Sequence, residues 1–205
     1  RHQLEVKLQE TVAELETILD NSVIGVTYVK KGIFARVNRK LESLLEFNKD
    51  ELSGLPFSII YPSYQDYLLM GQQAYPLLEQ GKEYDSRHLI RTKSAKMFWA
   101  RLVGKTVDVS DLDKGSIWMI EDITMQKEAE QHLRLTAAIF DSTADGIFVT
   151  NLSNRIQRVN PAFTKITGYT AEEVYGKKTA FLASGRHDKH FYQDMWNSIT
   201  KTGHW

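Results

Sequence analysis

The chain has 205 residues, 42% hydrophobic and 25% charged, and its 26 Lys and Arg are balanced by 26 Asp and Glu. That length predicts one large or two ordinary domains and that composition a soluble globular protein, while the balanced charge gives no electrostatic case for nucleic acid or an anionic membrane. The absence of cysteine excludes disulfides, thiolate metal sites and cysteinyl-flavin photochemistry, and no apolar run approaches the roughly 20 residues of a membrane span.

Residues 1–19 read as an amphipathic helix. Leu4, Leu8, Thr11, Leu15 and Ile18 follow the alternating four-and-three spacing of a coiled-coil seam, with charges elsewhere. A helix docked on its own domain would carry much the same stripe. The charged opening and the stop at Trp205 suit a segment of a longer protein.

A repeat follows. Asp20, Gly25, Arg36-Val37-Asn38, Glu51 and Gly54 recur as Asp141, Gly146, Arg158-Val159-Asn160, Glu173 and Gly176, a separation of about 120 residues that is too long for a solenoid. Two copies of one fold are the economical reading, over 20–124 and 141–205. In each, β-rich runs flank a turn: 25–29 and 33–37 around Lys-Lys-Gly, then 147–150 and 155–159 around Asn-Leu-Ser-Asn. Each hairpin ends at an Asn, followed by a short helical stretch, 39–46 or 161–167, the second opened by Pro161. Asn48 with Glu51 and Thr170 with Glu173 have the spacing of a capping box opening another short helix, and Gly54 and Gly176 suit its left-handed exit.

The first copy continues with a helix over 64–79, expected to break near Pro76, then strands over 84–91, 96–109 and 116–121. A linker helix over 125–140 follows directly. Thr124 is expected to cap it with its hydroxyl, and Asp122 sits near its positive end. The fold class is therefore α+β: a five-stranded antiparallel sheet flanked by short helices, with amphipathic linker helices. The second copy stops before its last three strands. Its hairpin edge and an apolar face of Ile147, Val149, Phe163 and Phe181 are expected to be left uncovered.

This order of elements resembles the PAS family. The resemblance is carried by Asn38 and Asn160 at the hairpin ends, by Phe-Thr-Lys-Ile-Thr-Gly-Tyr at 163–169, by Glu-Glu-Val-Tyr-Gly at 172–176, and by Glu-Asp-Ile-Thr at 121–124. It implies a PAS fold twice, the second copy truncated, and a signal relay at Glu121, Asp122, Ile123 and Thr124 that couples the sheet to the outgoing helix. It also implies a small cavity between sheet and helices. Candidate cavity residues are Tyr64, Tyr67, Trp99, Arg101 and Trp118, with Tyr61, Met70, Tyr75, Phe98 and Met119 beside them. Strand alternation puts Trp99 and Arg101 on one face and Phe98 and Leu102 on the other, and an Arg facing a cavity would favour an anion. Such aromatics equally serve as core or dimer interface.

His187, His190 and His204 have too few companions at metal spacing for zinc. The second copy resembles PAS domains that bind flavin noncovalently, where Asn160 and the Trp205 region would line the pocket, and equally those in cyclic-di-GMP enzymes that bind nothing known. Cofactor-free is the expectation, with flavin open to an intact second copy. No catalytic motif is present. The expected function is a cytoplasmic bacterial sensory module, a homodimer through helices 1–19 and 125–140. It would relay ligand or partner state to an effector, foremost a diguanylate cyclase or cyclic-di-GMP phosphodiesterase of GGDEF/EAL type. The alternatives are the sensor region of a histidine kinase and a ligand-free PAS dimerisation module.

Overall fold

The computed structural model describes the backbone of residues 2–205 and the side chains of 7, 10–15 and 17–205. Two compact units make up the chain, one ending at Glu130 and the other running from Gln131 to Trp205. Helix α1 (His2–Asp20) opens the first. Of the expected seam, Leu4 and Leu8 fall outside the described side chains, while Leu15 and Ile18 are exposed.

Strands β1 (Gly25–Lys30) and β2 (Ile33–Val37) form the first hairpin. Its tip needs positive φ at two successive residues, and Lys31 (51°) and Gly32 (73°) supply it, giving the tight turn whose twist matches paired strands. Helix α2 (Arg39–Leu44) follows, then turns through 54 and a 3-10 turn over Phe57–Ile60. The turns stand where a capping-box helix was expected. Here the Glu51 carboxylate does accept the Asn48 amide, but Lys93 holds it as well, and Asp50 takes a positive φ (62°) that breaks helical continuity.

Helix α3 (Tyr64–Glu79) is capped by the Ser63 hydroxyl accepting from Asp66 N, and it runs unbroken through Pro76. The expected break is absent because Met70, Ala74 and Leu78, four residues apart, are all buried against the sheet and hold that face in helical register. Strands β3 (Tyr84–Arg91), β4 (Met97–Thr106) and β5 (Ser116–Asp122) complete an antiparallel sheet of order β2-β1-β5-β4-β3. The last strand therefore sits in the middle, paired to β1 on one side and β4 on the other. Its inner face (Trp118, Ile120), with Phe98, Ala100 and Leu102 of β4, packs on Leu41, Leu45, Leu52, Phe57 and Ile60 to form the core.

Helix α4 (Thr124–Ser142) leaves β5 directly and buries none of its residues. The second unit then repeats the first. Strands β6 (Phe148–Thr150) and β7 (Ile156–Val159) precede α5 (Pro161–Thr167), α6 (Ala171–Val174), a 3-10 turn (Thr179–Leu182) and α7 (Lys189–Thr202). Both hairpins carry a register shift at the corresponding place, between Tyr28 and Val29 and between Val149 and Thr150. Thr170 and Glu173 make a full capping box, and Gly54 and Gly176 take the expected positive φ.

Of the expectations about the second unit, the uncovered hairpin edge holds on β6 and the make-up of the inner face is corrected. The other edge, that of β7, is closed: Ile156 N donates to Lys177 O and Gly176 N to Ile156 O, just as Phe34 N donates to Leu55 O and Gly54 N to Phe34 O in the first unit. Phe148 rather than Val149 faces inward, its ring 6.1 Å from Phe163 in an edge-to-face pair. Among the described residues the edge of β6 facing away from β7 has no strand partner, and Phe148 is 41% exposed. The unit's small core is Ile156, Phe163 and Val174.

Candidate functional site

Beneath β5 an aromatic layer separates the sheet from α3. Phe57 is its hub, with ring centroids 5.2 Å from Phe34, 6.1 Å from Tyr61, 6.4 Å from Tyr67 and 5.3 Å from Trp118. Trp118 fits because the residue opposite it is Gly104: a Cβ there would lie 2.7 Å from the indole. The contacts with Phe34, Tyr61 and Tyr67 have the edge-to-face geometry that aromatic quadrupoles prefer, and the one with Trp118 is tilted.

The layer has a polar end. Tyr84 Oη and His88 Nε2 are 2.7 Å apart, Tyr84 also reaches Gln73 Oε1 at 3.4 Å, and the His88 ring lies 6.0 Å from that of Tyr61. Burial lowers the His88 pKa below the ordinary 6.5, against a weaker upward pull from Asp66. The ring is thus neutral near pH 7, with one N–H to give and one lone pair to receive. Tyr61 is 1% exposed and its hydroxyl has no protein partner. Desolvation drives its pKa well above the ordinary phenol value, and Tyr67, half-buried, is pushed up to about 12 by the same cause. The site is therefore uncharged and aromatic, with hydroxyls and one imidazole as its polar groups. That chemistry suits a small neutral molecule with a hydrogen-bonding atom rather than an anion.

Of the residues nominated from sequence, Tyr67 and Trp118 meet in this layer, each packed on Phe57. Tyr64 does not enter it; it is 65% exposed at the start of α3, 5.8 Å from Tyr67. Trp99 and Arg101 lie on the opposite face of the sheet, which corrects the expectation that they line the interior. Phe98, Ala100 and Leu102 take the inner parity of β4, so Arg101 points outward and clamps Asp85 with two hydrogen bonds, 2.9 Å and 2.5 Å. Beside that pair lies a concavity of about 230 Å³, lined by Ile24, Glu83, Val103, Met119 and Glu121. His88, Tyr84 and Gln73 were not singled out from sequence, although β3 carried the signal: Tyr84, Ser86 and His88 share the parity of buried Ile90, an unusual run of polar atoms on an inward face.

The second half of the site is the exit of β5. Glu121 and Asp122 are exposed, whereas Ile123 is 4% exposed. Ile123 N donates to Trp99 O at 2.9 Å, and Trp99 N donates to the Thr124 hydroxyl at 3.2 Å. The hydroxyl expected to cap α4 is thus spent on β4, and the Asp122 carboxylate instead accepts Thr124 N at 2.8 Å. The Lys127 ammonium sits 3.8 Å from the centroid of the Trp99 ring, a cation–π contact. The first turn of α4 is therefore fastened to β4 as well as continuous with β5.

Among the described residues no cluster of three or more His, Asp or Glu could hold a metal ion. His187 stacks on Phe191 at 3.9 Å, and His190 Nδ1 meets Asp194 at 3.1 Å, so the histidines do not converge. Asn160, expected to line a flavin pocket, is 1% exposed and uses both polar atoms on backbone groups, leaving none for a ligand.

Comparison with known proteins agrees with this geometry. The family model described as a PAS domain matches residues 21–125, and that described as the PAS fold matches 134–205. The chain is 27% identical over 120 residues to the sensor protein TdiS of Thauera aromatica, covering 58% of this chain and 22% of that protein. It is 27% identical over 130 residues to the sensor histidine kinase TmoS of Ectopseudomonas mendocina, covering 58% and 12%. The nitrogen fixation regulatory protein of Klebsiella pneumoniae matches at 28% over 76 residues, 37% and 15%. The chain thus spans about a fifth or less of the length of these relatives. Among solved structures, the PAS domain of a LuxR-family transcriptional regulator from Burkholderia thailandensis, in complex with ethanol, has a TM-score of 0.50 at 19% identity, covering 53% of this chain and 96% of that one. The PAS domain of an HTR-like protein from Haloarcula marismortui has a TM-score of 0.51 at 14% identity, covering 60% and 100%. At those identities the likeness is one of fold alone.

Proposed function

The chain belongs to the PAS family, and from that premise we propose that it is the sensory and relay region of a sensor histidine kinase. The Tyr61–Tyr84–His88 layer receives a small neutral ligand. Its occupancy shifts Trp118 and hence β5, and Glu121–Thr124 pass the shift to α4. The observation that carries this reading is the position of β5: central in the sheet, backed by the aromatic layer, and joined to α4 without an intervening loop. A displacement of β5 is carried directly into the helix that continues it, whose first turn is also tied to β4.

The effector expected first from sequence, a cyclic-di-GMP enzyme, has nothing among the named relatives behind it. A sensor protein and a sensor histidine kinase do stand there, so the kinase takes its place. The active form is a homodimer through α1 and α4. In support, α4 exposes Met125, Leu133 and Ile139 along its length, and α1 exposes Val12, Leu15 and Ile18. No helix among the described residues is long and apolar enough to cross a membrane. The module is proposed to work in the cytoplasm.

A helix-phase experiment tests the relay. The chain is fused in frame to the catalytic half of a sensor histidine kinase, and one to seven residues are inserted between Glu128 and Leu133. Relay through a paired helix requires autophosphorylation to change with insertions of one to four and to return with seven. Output indifferent to insertion length would overturn it. Native mass spectrometry of the purified chain separates sensing from ligand-free pairing: a retained small molecule upholds the first, bare protein the second.

A further inference from the structure

Two asparagines, one at each hairpin end, make the same four side-chain hydrogen bonds in both units. Asn38 Oδ1 accepts from Val26 N (2.8 Å) and Leu41 N (3.0 Å), and its Nδ2 donates to Ile24 O (3.0 Å) and Leu19 O (2.8 Å). Asn160 Oδ1 accepts from Ile147 N (2.8 Å) and Phe163 N (2.9 Å), and its Nδ2 donates to Asp145 O (2.8 Å) and Phe140 O (3.1 Å). Both residues are nearly inaccessible, at 4% and 1% exposure. Three of the four bonds tie the hairpin to the following helix. The fourth reaches the last turn of the preceding helix, where backbone carbonyls lack intrahelical partners.

That fourth bond matters most in the second unit, because α4 buries none of its residues and is exposed at every position over 131–139. Its last turn is gripped at Phe140, whose carbonyl takes the Asn160 amide and whose ring lies 4.8 Å from the Arg158 guanidinium. Both gripping side chains come from one strand end, β7 and the residue after it. A carboxamide is the side chain for this position. It presents a double acceptor and a double donor in one rigid plane, so a displacement of the bonded carbonyl moves the acceptor side with it. The acceptor side holds the entry to β6 and the first turn of α5.

We propose that Asn160 is the positioning residue that receives α4 into the second unit, and that Asn38 does the same for α1 in the first. A rotation or slide of the incoming helix reaches the hairpin and the following helix through one amide group. The inference rests on the reading of α4 as a relay, and it adds the receiving end.

The test is amide hydrogen exchange on the 205-residue chain carrying Asn160→Asp. That variant keeps the acceptor oxygen and the shape, loses both donated bonds, and turns an oxygen toward the two carbonyls. The expected result is that amides of 139–145 exchange at least about tenfold faster while those of Ile156, Phe163 and Val174 stay within about threefold, because a clamp opens locally. Thr170→Ala, which removes the α6 cap, should give the reverse pattern. No change at 139–145 overturns the proposal. Should the variant loosen every amide of its small unit, Asn38→Asp in the five-stranded unit decides instead. Selective loosening of 17–22 there upholds the proposal, and uniform or absent loosening overturns it. Because no output is read, a failed clamp is distinguishable from a failed relay: insertions in α4 can still alter phosphorylation with the clamp refuted, and the reverse.

Discussion

The two units share their local elements position by position and differ in what closes over them. Thr27 and Phe148 occupy the same place in the two hairpins, yet Thr27 is 2% exposed and Phe148 41%. The polar residue is buried and the aromatic one is wet. The cause is β5, which pairs with β1 in the first unit and has no counterpart beside β6 among the described residues. Turns, caps and edge cover are made within about 40 residues and survive without the rest of the sheet, whereas burial of the inner face is a long-range product.

The largest effect is expected from Trp118→Ala, which removes the indole packed on the hub of the first unit's aromatic layer and should cost about 3–5 kcal/mol in urea unfolding of that unit. In the second unit Phe163→Ala and Phe148→Ala should part company. The first removes a buried ring and should abolish that unit's cooperative unfolding; the second removes an exposed partner and should cost about 1 kcal/mol, the worth of an edge-to-face pair. Equal losses would mean that the inner face of β6 is covered after all.

Gly104→Ala forces a methyl against the Trp118 ring and should destabilise the first unit by about 1–3 kcal/mol, as overpacking does. Gly176→Ala meets no atom and strains only a positive φ (74°), so its effect should be the smaller of the two by the same measurement.

A subtler difference is pH dependence. His88 is held neutral by burial with its pKa lowered, so unfolding at mildly acidic pH takes up a proton. Its contribution to the first unit's stability is complete above about pH 6.5, the unfolded value, and is lost as pH falls through the lower folded value. Urea midpoints between pH 8 and pH 5 should show this slope in the first unit, and His88→Gln should flatten it. Smallest of all is Arg101→Ala. The Asp85 pair is solvent-exposed on the outer face, so the first unit's melting temperature should not move measurably.

Much of this was legible in the residues. The repeat, the hairpins, the Thr170 capping box and the glycine exits depend on neighbours a few positions apart. Alternation likewise separated Trp99 and Arg101 from Phe98 and Leu102. It could not say which side faces in, because that is decided by where α2 and α3 lie. Thr124 shows the same limit at one atom: its hydroxyl is a good helix cap by sequence, but β4 brings the Trp99 amide within reach, and that amide takes it. Pro76 is the converse, a local breaker overruled by three buried neighbours on its helix.

By itself, then, the sequence determined the doubled plan, the order of elements, the absence of thiol chemistry and the continuous run from β5 into α4. Each of these rests on composition or on interactions of short range. Only the tertiary structure decided that β5 lies between β1 and β4, that Tyr61 and His88 rather than Arg101 furnish the interior, and that two asparagines bind the incoming helices. Those outcomes hang on contacts between residues far apart in the chain, formed once sheet and helices pack together.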